Sequence, residues 1–346
     1  MNTKANPMIS LQELALFLTL NETVIEQKFK EQFPSYKSLL IHSKKISNSV
    51  VRKFLDFQEV GFNKQKITIA ALKGGVGKTF LTTNLAIRLT MLGAKVLILD
   101  LDPQANASNS LLDEEVLLSE KKLTILEILR LNMPIESGII PTKYSGLDIL
   151  PSSLRVAKAE RCVYGKNPKT LLDKLVEHLD YDFIFFELPP SFSNLNASAY
   201  LSSDLVIIPC TPSIHSLESV DLTIQAVGEV AKEFESTIPQ FQVLLNRFCA
   251  QRSASQDTLT ILKDEHNDKL YPFHIKDSAI IQNAINAGVS IYESTPQYSH
   301  NNFSKEVKEI RKNLDEIITT IRPIQLLSNL SFRKKFNYFT NQESFQ

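Results

Sequence analysis

Lys73-Gly74-Gly75-Val76-Gly77-Lys78-Thr79 decides how the rest of the chain is read. It follows the apolar run Ile67 to Leu72 and precedes a segment, Leu81 to Leu92, whose pattern predicts a helix. Strand, glycine-rich loop and helix in that order form the setting in which such a loop holds phosphate. The glycines let successive backbone N–H groups converge on phosphate oxygens where a side chain would collide. The helix that follows adds the positive end of its dipole. In that setting Lys78 reaches the β- and γ-phosphates and the Thr79 hydroxyl ligates Mg²⁺. Lys73, five residues upstream of Lys78, has no task in an ordinary loop of this kind.

Further stretches carry chemistry. After the strand-like Val96 to Leu99 comes Asp100-Leu101-Asp102-Pro103-Gln104-Ala105-Asn106. Two carboxylates beside a triphosphate repel it unless a cation intervenes, so this pair points to Mg²⁺. Asp182-Phe183-Ile184-Phe185-Phe186-Glu187-Leu188-Pro189-Pro190-Ser191 is an apolar strand that ends in an acid and a Pro-Pro turn. Val243-Leu244-Leu245-Asn246-Arg247 is another strand with a polar end.

With a lysine ahead of the glycines, the loop resembles the deviant Walker A box of the ParA/MinD ATPases. The later stretches follow in that family's order, from about Lys66 through Ala284 to Gly288, Ile291 and Pro296 to Ile321. The resemblance implies that Lys73 is the signature lysine, which in many members contacts nucleotide phosphates across a dimer interface. It implies that Asp102 orients the attacking water, that Asp100 lies near the metal, and that Glu187 ends the Walker B strand and serves Mg²⁺ through a water. Asn246 matches the asparagine that recognises adenine. The nucleotide set is then Lys73, Gly74, Gly75, Val76, Gly77, Lys78, Thr79, Phe80 and Asn246, with ATP and Mg²⁺ as ligands. Two positions depart from the pattern: Glu187 stands where the family carries Asp, and Phe80 where it carries a Thr or Ser that helps to hold the α-phosphate. Losing one hydrogen bond to a charged acceptor costs ~1.5 to 3 kcal/mol.

Composition agrees with an intracellular protein of this size. At 346 residues and 43% hydrophobic the chain can bury a large core. Cys162, Cys210 and Cys249 are far apart in sequence, which argues against a disulfide scaffold, a clustered metal site and the iron-sulfur reductases that share this loop. Met1 to Pro7 holds no apolar signal core, and no run reaches the ~18 apolar residues of a membrane span. Lys plus Arg equals Asp plus Glu, at 38 each, so DNA affinity has to come from local patches. The candidates are Lys276, Arg252, Arg52 and Lys53, and solvated surface charge is the plainer reading of each.

Apolar runs alternating with helical segments predict an α/β fold, a mainly parallel P-loop NTPase sheet with helices on both faces. The expected strands are Lys66 to Leu72, Val96 to Asp100, Leu147 to Pro151, Phe183 to Glu187, Leu205 to Pro209 and Val243 to Asn246. Residues 65–325 form the expected ATPase domain. Residues 1–64 read as a small all-helical module, with a capping box at Ser10 and Glu13 and helices from Leu11, from about Glu22 to Phe33 and from Asn48 to Glu59. Helix, turn, helix is compatible with a DNA-binding helix-turn-helix, and equally with a helical cap or dimerisation unit. Residues 326–346 form a C-terminal tail in which Ser331 to Gln346 alternates basic and aromatic residues.

The resemblance implies a ParA-like ATPase that drives plasmid or chromosome partitioning from the cytoplasm and the nucleoid. ATP would close a homodimer that binds DNA nonspecifically, and a ParB-like DNA-binding protein would stimulate slow hydrolysis. A MinD-like regulator cycling on membranes and an operon repressor with a vestigial ATPase are the rival readings.

Overall fold

The computed structural model describes residues 8–33, 45–119, 122–293 and 301–321, with side chains from 305 in the last stretch, and the backbone of 324–326. Pro296 and the tail beyond 326 lie outside the described residues.

Twelve strands are described, β1 Met8–Ser10, β2 Lys45–Ser47, β3 Val60–Phe62, β4 Gln65–Ile69, β5 Val96–Asp100, β6 Ile140–Pro141, β7 Leu147–Leu150, β8 Phe183–Glu187, β9 Leu205–Cys210, β10 Gln240–Phe248, β11 Leu270–Lys276 and β12 Ile324–Leu326. Eight of them form one sheet in the order β11-β10-β9-β4-β8-β5-β7-β6. Every pairing in it is parallel except β6 with β7. Strands β5, β8 and β9 are buried at every residue, as a strand covered on both faces must be, and their unbroken apolar character reflects this.

Apolar clusters fill both faces. One joins the sheet to Leu81, Leu85 and Leu89 of the helix Lys78–Met91 and to Ile310, Leu314 and Ile317 of the helix Asn301–Ile321. The other holds Leu97, Leu99, Phe186, Tyr200 and Val220. Pairing in register sets the carboxyl ends side by side: Ile69 lies opposite Glu187 on β4 and β8, and Asp100 opposite Glu187 on β5 and β8. Loops at this edge are where such sheets bind ligands.

The N-terminal helices are Leu11–Leu18, Glu22–Gln32 and Asn48–Phe57. The capping box is formed, with the Glu13 N–H donating to Ser10 Oγ at 3.1 Å and the Ser10 N–H to Glu13 Oε2 at 2.9 Å. A two-stranded antiparallel ribbon, β1 with β2, joins these helices and was not foreseen from the sequence. Ile9, Leu14, Ile25, Phe29 and Phe54 belong to the same apolar cluster as the helix Lys78–Met91. Strand β12 returns to pair with β3, so the chain after the sheet is tied back beside the N-terminal part. Among the described residues no helix is long and apolar enough to cross a membrane.

Candidate nucleotide site

The loop after β4 opens onto a cleft of about 710 Å³ lined by Gly74, Gly75, Gly77, Lys78, Thr79 and Asp102 among others. Gly77 has φ +97°, and a Cβ there would lie 2.4 Å from Asn246 Nδ2. Both facts require glycine. Asn246 is buried beneath the loop, where its Nδ2 donates to Val76 O at 2.7 Å and its Oδ1 accepts from the Arg247 N–H at 2.9 Å. The amide expected to read a base is thus also the prop of the loop.

Lys78 begins the helix and is 7% exposed. Burial pushes its ammonium below the usual lysine range, and the carboxylates of Glu187 and Asp102 pull it back up. Its Nζ has one backbone acceptor, Ala71 O at 3.5 Å. Lys73 points elsewhere: its Nζ donates to Ser213 Oγ at 2.6 Å, and its N–H donates to Ser219 Oγ at 3.1 Å. The helix Ile214–Glu233, with Ser213 at its N-cap, therefore holds Lys73, a contact that nothing in the local sequence announces.

Glu187 is 1% exposed. Its Oε1 accepts from Thr79 Oγ1 at 2.7 Å and its Oε2 from Thr82 Oγ1 at 2.5 Å. Burial drives its carboxyl up to about 7, the two threonine bonds and Lys78 lower it, and the charge of Asp100 raises it. Asp100, wholly buried, is likewise pushed up to about 7, by burial first and by Asp102 last. Its Oδ2 accepts from the Ser108 N–H and Oγ, and its Oδ1 from the Asp102 N–H. Asp100 thereby shapes the turn that carries Asp102, whose Oδ1 accepts from the Gln104 N–H at 2.9 Å. Ala105 in this turn has φ +53°, a left-handed conformation that strains a residue with a Cβ.

Whether Mg²⁺ suits these residues can be judged from the donors. Thr79 offers a hydroxyl whose proton is directed to Glu187, which leaves its lone pairs free, and two buried carboxyls adjoin it across β5 and β8. Oxygen-only donors of this kind fit a hard divalent cation. Phe80 is buried in the core while also lining the cleft, and it offers no hydroxyl. The next hydroxyls along, on Thr82 and Thr83, donate to Glu187 Oε2 at 2.5 Å and to Thr79 O at 2.8 Å.

The basic candidates are spent on ion pairs to differing degrees. Arg52 bonds Asp182 at 2.6 Å and lies over the Phe62 ring, which docks the helix Asn48–Phe57 on the sheet. Lys276 pairs with Glu309 at 2.7 Å and Arg252 with Asp277 at 3.3 Å, whereas Lys53 is exposed.

The model of the AAA domain family AAA_31 matches residues 64–240. The sporulation initiation inhibitor protein Soj of Bacillus subtilis is 29% identical over 234 residues, 67% of this chain and 91% of that one. Cell division protein PomZ of Myxococcus xanthus is 26% identical over 249 residues, 71% of this chain and 75% of that one. Among solved structures, a Borrelia burgdorferi plasmid partition protein bound to AMPPNP superposes with a TM-score of 0.57 at 27% identity, over 72% of this chain and 99% of that one. An ATP complex of a Cyanothece McdA variant shares the fold, with a TM-score of 0.62 at 20% identity over 74% and 98% of the two chains. A lysine ahead of a glycine loop, a carboxylate pair at the ends of β5 and β8, and these relatives agree: the chain belongs to the AAA_31 family and is similar to partition ATPases of the ParA/MinD type.

Proposed function

We propose that the chain is a Mg²⁺-dependent ATP hydrolase in which ATP drives dimerisation and nonspecific DNA binding, and in which a ParB-like partner stimulates hydrolysis and release. The observation that carries this is the convergence of Lys78, Thr79 and Asp102 on one cleft, with Glu187 directly behind Thr79.

Lys78, with little solvent around it, binds the β- and γ-phosphates. Gly74 to Gly77 present backbone N–H groups to the phosphate oxygens, with Asn246 keeping the loop in shape. Thr79, with Glu187 and Asp100 behind it, would hold Mg²⁺. That ion, when bound, screens the phosphate charge that builds up during transfer to water. Asp102, on a turn braced by Asp100 and Ser108, orients the attacking water. Lys73 leaves Ser213 and reaches phosphates in the facing subunit. Slow turnover then acts as a timer on the dimeric state. DNA contact through phosphates would make affinity fall steeply with salt, with Lys276, Arg252 and Lys53 as contacts. Residues 1–64 serve as a second DNA-binding or dimerisation unit attached to this domain.

Calorimetric nucleotide titration and steady-state turnover test the core of this. Lys78→Ala should abolish ATP binding, whereas Asp102→Ala should bind ATP like the parent and lose turnover. Parental ATP affinity in Lys78→Ala would overturn the site. Specific promoter binding by a parent that shows no turnover under any condition would favour the repressor reading, for which Phe80 and Glu187 are the motive.

A further inference from the structure

Glu187 is one methylene longer than the aspartate expected at the end of its strand, and the structure shows where that extra reach, about 1.5 Å for one carbon–carbon bond, is taken up. Thr82 lies one helical turn beyond Lys78 on the inward face of the helix Lys78–Met91 and is 0% exposed. Its Oγ1 is 2.5 Å from Glu187 Oε2 and 3.1 Å from Lys78 O. A threonine hydroxyl has one proton. The shorter contact to a carboxylate takes it, because hydrogen bonds to ionised acceptors are shorter and stronger than those to carbonyls.

With Oε2 fixed by Thr82, Oε1 is left at 2.7 Å from Thr79 Oγ1, on the side where the cleft opens. Thr79 and Thr82 thus hold the acid at both oxygens. Lys78 also acts on it through charge, without a direct bond, so the two hydroxyls rather than the ammonium set its orientation.

We propose that Thr82 is the positioning residue for Glu187, clamping the longer acid so that it presents one oxygen to Thr79 and the metal. This rests on the reading of Glu187 as a metal-side carboxylate. Groups that orient metal-binding residues typically contribute 10- to 100-fold to metal affinity, and this clamp belongs to that class. A merely structural role for Thr82 predicts no such coupling, since the helix keeps its backbone bonds when the hydroxyl is removed.

The test uses Mn²⁺ as the probe. Electron paramagnetic resonance of free Mn²⁺ gives its affinity for the full-length chain saturated with AMPPNP, in the parent, Thr82→Val, Thr82→Ser, Glu187→Gln and Thr82→Val/Glu187→Gln. Metal-free AMPPNP affinity and far-ultraviolet circular dichroism serve as checks of fold. The expected result is Mn²⁺ affinity lowered roughly 10-fold in Thr82→Val, restored by serine, and not lowered further when valine is added to Glu187→Gln. Parental Mn²⁺ affinity in Thr82→Val, or an equal loss in both backgrounds, would overturn the clamp. Parental affinity in Glu187→Gln would instead remove the metal-side reading of Glu187, and the clamp with it. Should Thr82→Val fail to fold, Thr82→Ser against Thr82→Ala decides on the same readout.

Discussion

Gly77 and Asn246 show what single residues could and could not reveal in advance. The need for glycine in a phosphate loop follows from the motif, and the positive φ of Gly77 agrees with it. That Asn246 lies against that glycine, 2.4 Å from where a Cβ would be, could not be read, because the two are brought together only by the fold. The same holds for Thr82 beneath Glu187 and for Ser213 against Lys73, each a contact between residues more than 100 positions apart. The acids themselves were legible as strand ends. Their protonation follows from their surroundings. Glu187 titrates near 7 in the folded chain against 4.5 ordinarily, so the folded state keeps a proton that the unfolded chain gives up in between. A carboxyl raised in this way contributes stability that is complete below the unfolded value and is lost as pH rises through the folded value. Glu187→Gln carries no charge at any pH. In the absence of metal it should therefore be more stable than the parent at about pH 8, by about 1 to 3 kcal/mol, with the advantage shrinking toward about pH 5. Urea unfolding of both chains at the two pH values checks this, and an advantage that grows toward acid would contradict the assignment. Ala105 offers a second check. At φ +53° it sits where glycine is at ease. Ala105→Gly should stabilise the chain by about 0.5 to 1 kcal/mol in the same assay.

Helices and strands were legible in proportion to how evenly they are buried. Strands β5 and β8 fall where their apolar runs predict because both faces are covered. Strand β11 was missed: at the edge of the sheet only Tyr271 and Ile275 of it are buried, and it includes Pro272, which a central strand could not tolerate. The capping box was legible because Ser10 and Glu13 interact within one turn. Glu13 nevertheless does more than cap. Its Oε1 accepts from Arg88 Nη2 at 3.0 Å, and Arg88, fully buried, also bonds Asp315 at 2.8 Å through Nε. Three helices from distant parts of the chain, Leu11–Leu18, Lys78–Met91 and Asn301–Ile321, thus share one guanidinium. Arg88→Leu would leave two carboxylates near a buried site without their cation, and should cost about 3 kcal/mol in urea unfolding. Ser10→Ala removes one cap and should cost about 1 kcal/mol. Equal effects of the two would show that the guanidinium does not join these helices.

At the scale of the whole molecule, the sheet brings the loop after β4, the turn after β5 and the end of β8 to one edge, which is why residues spread from Gly74 to Asn246 face one cleft. That convergence was readable from motif order alone, since each motif ends a strand of a parallel sheet. How the described residues 8–33 and 45–62 attach was not readable. Their apolar positions join a common cluster with the helix Lys78–Met91, and Arg52 pairs with Asp182, so this part is built onto that helix and the sheet. Lys73 is the residue on which the proposed cycle turns, because it is held by Ser213 in the single chain and is free to serve a facing subunit only after leaving it. Sedimentation velocity of the parent, Lys73→Ala and Asp102→Ala, each with Mg²⁺ and either ATP or ADP, tests this most directly. The parent should sediment as a dimer with ATP and as a monomer with ADP, Asp102→Ala should remain dimeric long after ATP is added, and Lys73→Ala should bind ATP yet stay monomeric. A Lys73→Ala chain that dimerises with ATP as readily as the parent would contradict the role assigned to this lysine and the ATP-driven dimer built on it.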